Sequence, residues 1–153
     1  MRLYLVQHGE AKPKEEDPDR PLTEEGKQSC RSSASFLQSR GVRVPTIWHS
    51  GKLRAEQTAK ILAEGAGVEE VARKDGLKAK DSLDEIERAI RDRTDDVMIV
   101  GHLPHLNRLA SHLIAGREDA DTITFHNAGV VCLGNEGGES WRIDWMIVPE
   151  LLT

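Results

Sequence analysis

The sequence predicts an α/β fold of three α/β/α layers, built on a mostly parallel sheet with at least one antiparallel strand. Three observations carry this. Short apolar runs alternate with longer segments of helical character as far as about residue 115, the pattern of strands joined by helical crossovers. The 153 residues are enough to bury one core, and no repeat, low-complexity tract or linker divides them, so residues 1–153 read as a single domain. The last two apolar runs flank Asn135–Gly138 and read as a terminal hairpin.

The elements follow in order. Arg2–Gln7 is an apolar run suited to a buried strand, and the polar, proline-bearing stretch Glu10–Arg20 is a loop. Thr23–Arg40 reads as a helix capped by Thr23, with Cys30, Ala34 and Leu37 on one face and Gly41 behind it. Thr46–His49 is a short strand. Leu53–Glu64 is a second helix, stopped by Gly65 and Gly67. Glu70–Arg73 reads as a short strand. Ser82 and Glu85 have the spacing of a capping box that opens a helix to about Arg91. Val97–Val100 is a buried strand. Pro104–Ala115 is a helix with Leu106, Leu109, Ala110 and Leu113 on one side, and Val130–Leu133 and Trp141–Ile147 form the hairpin.

Bulk properties exclude several classes. The net charge is −5 and no run of Lys and Arg reaches five, which disfavours nucleic acid as a partner because phosphate backbones need a concentrated basic face. No apolar run approaches the roughly 18–20 residues of a membrane helix, so no membrane partner is expected. Cys30 and Cys132 are far apart and in no CxxC pair, which predicts a reducing, cytoplasmic setting without a disulfide framework or zinc site. The chain enters its first strand with no charged leader, so no secretory signal is expected.

In open α/β sheets, ligands collect beyond the carboxyl ends of the strands. His8 follows the first strand, Arg54 the Thr46–His49 strand, and His102 the Val97–Val100 strand, all on one sheet edge. Arg20 lies in the loop leaving that edge. Two arginines offer planar donor forks that match phosphate oxygens. A neutral imidazole can attack phosphorus in line, and the expectation is that His8 does so while Arg20, Arg54 and a protonated His102 hold the equatorial oxygens. The side chains supply the positive charge, so no metal or other cofactor is expected. Free N–H groups at the helix starts near Arg54 and Pro104 add to the preference for an anion such as phosphate or sulfate.

The segments Leu5-Val6-Gln7-His8-Gly9-Glu10, Arg20-Pro21-Leu22-Thr23, Ser50-Gly51-Lys52-Leu53-Arg54-Ala55-Glu56-Gln57-Thr58 and Gly101-His102-Leu103-Pro104 stand in the order of four known motifs. With them the chain resembles the histidine phosphatase superfamily, of phosphoglycerate mutase-like fold, and within it the small SixA-like phosphohistidine phosphatases. The resemblance covers essentially the whole chain. It implies that His8 accepts the phosphoryl group, that Arg54 and His102 are catalytic, and that Gln7, Gly9 and Arg20 bind substrate. Phe125–Gly129 resembles, less specifically, the loop that closes the pocket.

Two departures matter. The family opens on Arg-His-Gly, and here Gln7 replaces the arginine. A charge-assisted hydrogen bond is worth roughly 1.5–3 kcal/mol, so its loss slows the reaction about 10- to 150-fold without abolishing it. Lys52 is a candidate for the missing charge. Larger members also use a carboxylate as general acid, and Gly76-Leu77-Lys78-Ala79 carries none; Asp81 is the nearest and Glu10 the other candidate. Phosphohistidine tolerates this because imidazole leaves readily, whereas a phosphoester needs the acid more. The expected partner is thus a phosphorylated protein of histidine-phosphotransfer type, in signal transduction, with a small phosphate ester as the alternative. A broad-specificity phosphomonoesterase and a catalytically weakened phosphate- or phosphoprotein-binding module remain the competing readings.

Other motifs carry less. His102 and His105 form an HxxH pair without further ligands at suitable spacing. His49, His112 and His126 read as structural or exposed. Neither cysteine opens a Cys-x5-Arg motif, Asp119-Ala120-Asp121 reads as a solvated turn, and Asn127 is equally a turn residue or a pocket neighbour. Trp48, Trp141 and Trp145 are expected in the core.

Overall fold

Alternation decides the architecture. In a computed structural model, which describes residues 1–138 and 140–152, the first strand β1 (Arg2–Gln7) sends Leu3 and Leu5 to one face and Tyr4 and Val6 to the other, all buried. A strand buried on both faces reads as a continuous apolar run, because each face must be covered. The remaining elements are α1 (Glu24–Ser39), β2 (Thr46–His49), α2 (Leu53–Ala66), β3 (Glu70–Arg73), α3 (Asp84–Arg91), β4 (Val97–Gly101), α4 (His105–Ala115), β5 (Val130–Gly134) and β6 (Arg142–Ile147), with a final 3₁₀ turn at Pro149–Leu151.

The sheet order is β3-β2-β4-β1-β5-β6. The first four strands in that order are mutually parallel, and β5 runs against both β1 and β6. Helices α1 and α2 cover one face, where Ala34, Leu37, Ala59 and Leu62 meet Tyr4, Val6, Met98 and Val100. Helices α3 and α4 cover the other, where Ile86, Ile90, Leu106 and Leu109 meet Leu3, Leu5, Val97 and Ile99. The three-layer, mostly parallel architecture expected from the sequence is the one observed.

Several local expectations change. Helix α2 runs through Gly65 and ends at Gly67, which adopts the left-handed conformation (φ +59°). Gly65 is instead a packing residue: a Cβ there would lie 2.1 Å from the Ala34 carbonyl oxygen, so glycine is what lets α1 and α2 approach. The capping box at Ser82 does not form. The Asp84 N–H donates to the Ser82 hydroxyl (3.2 Å) in a short turn, Leu83 occupies the cap position without a side-chain bond, and Glu85 stands beside Gly76. Pro104 is the cap of α4 and not its first helical residue. The Thr23 cap is made as expected, its hydroxyl accepting the Gly26 N–H at 2.9 Å. Trp48 and Trp141 are core residues; Trp145 is partly buried against Tyr4 and Phe36. No helix among the described residues is long and apolar enough to cross a membrane.

Candidate active site

Strand register brings the two histidines together. Gln7 pairs with Gly101, so the next residue of each strand, His8 and His102, emerges beside the other. The His8 N–H donates to the Gly101 carbonyl (3.1 Å), and the two rings lie 5.0 Å apart between centroids. On the other side of β4, His49 pairs with Val100. Ser50 therefore follows β2 as His102 follows β4, and its hydroxyl lies 2.6 Å from His102 Nε2.

His8 is held in one tautomer. Its Nδ1 lies 2.7 Å from the Gly9 carbonyl oxygen, which can only accept, so Nδ1 carries the proton and Nε2 the lone pair. Burial pushes the ring pKa down to about 4 against the opposing Gly9 hydrogen bond, with Arg54 and Arg20 lowering it further. His8 is thus neutral at physiological pH. Gly9 is buried with both backbone groups engaged: its carbonyl by His8, its N–H by the Thr58 hydroxyl (2.9 Å). Thr58 in turn donates to the Arg54 carbonyl (2.8 Å), tying the His8 loop to the first turns of α2. A Cβ at Gly9 would meet Cys30 Sγ at 2.8 Å, so α1 also packs directly on this loop.

The two arginines come from different elements. Arg54 sits in the first turn of α2, half-buried, with a buried Nε that has no hydrogen-bond partner. Its pKa is lowered by burial and by Arg20, though a guanidinium stays charged. Arg20 adopts the left-handed conformation (φ +50°) in a loop pinned at both ends by Lys12 N–H to Pro21 O (2.8 Å) and Thr23 N–H to Glu10 O (3.0 Å). Its Nε donates to the Lys12 carbonyl (3.0 Å).

His102 departs from expectation. Burial, followed by the charges of His8, Arg54, Lys52 and His105, drives its pKa down to about 3. The ring is therefore neutral and not protonated, because a buried site among cations disfavours another positive charge. Its Nδ1 is buried without a partner.

Gln7 is half-buried, and its Oε1 has no hydrogen-bond partner. The loop after α4 closes against it: Ala128 N–H donates to Gln7 O (2.8 Å) and Asn127 Nδ2 to His8 O (2.9 Å). Asn127 is thus a backbone support of His8. Lys52 is exposed, at the cap of α2, which has no side-chain cap bond.

The two acids considered for proton donation have other partners. Glu10 Oε1 accepts from the Thr23 hydroxyl (2.9 Å), and Asp81 Oδ2 from the Lys78 N–H (2.9 Å). Asp81 nevertheless lines a cleft of about 530 Å³ that reaches Ser50. Among the described residues, no three His, Cys, Asp or Glu side chains are placed to hold a metal ion. His105 is fully buried, His49 is buried and accepts the Gly51 N–H (3.1 Å), His112 pairs with Glu87, and His126 lies 4.0 Å from Glu150.

Ser50, Thr58 and Asn127 are the site neighbours whose roles sequence reasoning missed or left open. Thr58 had a signal, being four residues after Arg54 on a helix, the spacing at which a hydroxyl reaches a backbone carbonyl. Ser50 had none apart from its strand-end position, since its partner is 52 residues away.

Comparison with known proteins places this geometry. Residues 3–81 match the family model for the histidine phosphatase superfamily (branch 1). An uncharacterized protein from Picosynechococcus is 32% identical over 140 residues, covering 87% of this chain and 84% of that one. The protein histidine phosphatase SixA, solved in complex with tungstate, superposes with a TM-score of 0.89 at 21% identity, covering 100% of both chains. A protein from Agrobacterium tumefaciens, provisionally named a phosphohistidine phosphatase SixA, superposes at 0.77 with 26% identity over 97% of each chain. With the family model matched over half of the chain, and with this curated relative, the chain belongs to the histidine phosphatase superfamily, branch 1, and is SixA-like within it.

Proposed function

We propose that this protein is a phosphatase that removes the phosphoryl group from phosphohistidine on a partner protein, through a covalent phospho-His8 intermediate. The observation that carries the reading is the state of His8: neutral, with Nδ1–H held by Gly9 and the Nε2 lone pair free, beside His102 and two arginines. In the first step the Nε2 lone pair forms a P–N bond while the substrate's own P–N bond breaks, and the departing imidazole takes a proton from solvent. In the second, water attacks phosphorus, the bond to Nε2 breaks, and inorganic phosphate leaves. Arg20 and Arg54 hold the charge on the transferring group, the task that a metal performs elsewhere. An arriving phosphoryl dianion also opposes the charges that keep His102 neutral, which favours a proton shared with the phosphoryl oxygens.

The engaged carboxylates favour phosphohistidine over phosphoesters. Glu10 has one oxygen bonded to Thr23 and Asp81 one bonded to a backbone N–H, and among the described residues no hydrogen bond holds either carboxylate against His8, where the acid an alkoxide leaving group requires would stand. A broader phosphomonoesterase is the second reading, favoured by the cleft that joins Asp81 to Ser50.

Turnover of a phosphohistidine protein and of p-nitrophenyl phosphate, measured without added metal, tests these readings on wild type, His8→Ala and Gln7→Arg. The expected result is preference for phosphohistidine, loss of turnover in His8→Ala, and a gain of about 10- to 150-fold in Gln7→Arg from the restored charged donor. Undiminished turnover in His8→Ala overturns the nucleophile, and preference for the aryl ester overturns the substrate class. Binding without turnover in wild type, restored by Gln7→Arg, identifies a weakened binding module.

A further inference from the structure

We infer that Ser50 is a positioning residue that sets the tautomer of His102, leaving Nδ1–H as that ring's free donor for the phosphoryl group. The inference rests on the site reading above, and it is carried by the proton accounting of one buried pair.

Ser50 is 2% exposed and His102 3% exposed, and Ser50 Oγ lies 2.6 Å from His102 Nε2. Two proton arrangements satisfy that distance. In one, the serine O–H donates to a bare Nε2 and the ring proton sits on Nδ1. In the other, Nε2–H donates to Oγ, and the serine proton must find a different acceptor.

Three observations separate them. The hydroxyl oxygen already accepts the Lys52 N–H (3.3 Å), and Oγ has no hydrogen-bond partner among the described residues besides Lys52 N–H and His102 Nε2. The second arrangement therefore leaves a buried O–H without an acceptor in the protein, which is costly. It also leaves Nδ1, buried and unpartnered, as a bare lone pair in a ring 5.0 Å from the ring that receives the phosphoryl group. A lone pair there repels an oxyanion. The first arrangement leaves one group unsatisfied, the Nδ1–H donor, where the second leaves two, the serine O–H and the Nδ1 lone pair. The unpartnered Nδ1 is then a donor awaiting its ligand.

Position in the fold explains why Ser50 can do this. Strands β2 and β4 are parallel neighbours in register through His49 and Val100, so Ser50 leaves the sheet level with Gly101, one residue before His102 and within reach of its ring. The serine acts through His102 and has no need to touch substrate itself.

Long-range ¹H–¹⁵N spectra of the histidine rings at neutral pH read the tautomer directly, with the His102 signals identified by their loss in His102→Gln. The expected result is a protonated Nδ1 and an unprotonated Nε2 in wild type. Ser50→Ala is expected to move the ring toward the Nε2–H form and to lower kcat about 10- to 100-fold with KM little changed, and Ser50→Thr to restore both. A wild-type ring protonated on Nε2, or an unchanged tautomer in Ser50→Ala, overturns the proposal. The ring signals need no turnover, so a protein that binds phosphate without hydrolysing it fails the functional reading alone.

Discussion

Replacing Gly26 by alanine tests how the loop that carries His8 is held, because two well-understood effects oppose each other there. Gly26 lies in the first turn of α1, where alanine is favoured over glycine by at most about 1 kcal/mol. A Cβ at Gly26, however, would stand 2.1 Å from the Glu10 carbonyl oxygen and 3.0 Å from its carbon. Both are backbone atoms, and the same oxygen also accepts the Thr23 N–H at 3.0 Å. Restoring ordinary contact moves one of the two backbones by roughly 1 Å, and overpacking of this kind costs about 1–3 kcal/mol. Sterics therefore outweigh propensity, and Gly26→Ala is expected to lose about 1–2 kcal/mol in a urea titration. His8 is two residues from the displaced carbonyl, and a shift of this size costs up to about 10²-fold in turnover. Gly65→Ala is the matched control. Its Cβ would stand 2.1 Å from the Ala34 carbonyl oxygen, at the end of α2 away from Arg54, so it is expected to lose stability while turnover is nearly kept. A higher urea midpoint for Gly26→Ala, or turnover lost equally in both variants, refutes the reasoning.

Other outcomes follow from the same contacts. Thr58→Val removes the acceptor of the buried Gly9 N–H and the donor to the Arg54 carbonyl; a loss of about 1–3 kcal/mol is expected, with faster amide exchange at Gly9, and unchanged exchange refutes the contact. Stability is expected to fall with acid. His8 and His102 titrate near 4 and 3 in the fold and near 6.5 when unfolded, so between these values the unfolded chain binds more protons and stability rises with pH. Their contribution is complete above about 6.5, declines as pH falls, and is gone below about 3; urea midpoints measured down that range check it, and a midpoint that rises with acid contradicts it. His8→Ala and His102→Ala are each expected to flatten that decline.

Much of the candidate site was legible because its residues occupy strand ends. His8, Arg54 and His102 each follow a strand, and parallel strands place their carboxyl ends on one edge whatever their exact order. Local chemistry was readable where it stayed local, as in the Thr23 cap. It failed where a distant segment intervened. Gly65 looked like a helix stop and is a packing residue because Ala34 lies against it. The Ser82 capping box gave way to a turn, with Glu85 beside Gly76.

By itself, then, the sequence determined the layers of the fold, the edge on which the site forms and the chemical types gathered there, since alternation and strand-end position are properties of contiguous residues. Only the tertiary structure decided the protonation and orientation of those residues. His102 is neutral, against the expectation of a protonated ring, because burial and surrounding cations act on it together. Gly9 is engaged by Thr58 and His8, and Ser50 reaches His102 across 52 residues. Desolvation and hydrogen bonding between segments far apart in sequence depend on register and packing, and these exist only once the sheet has formed.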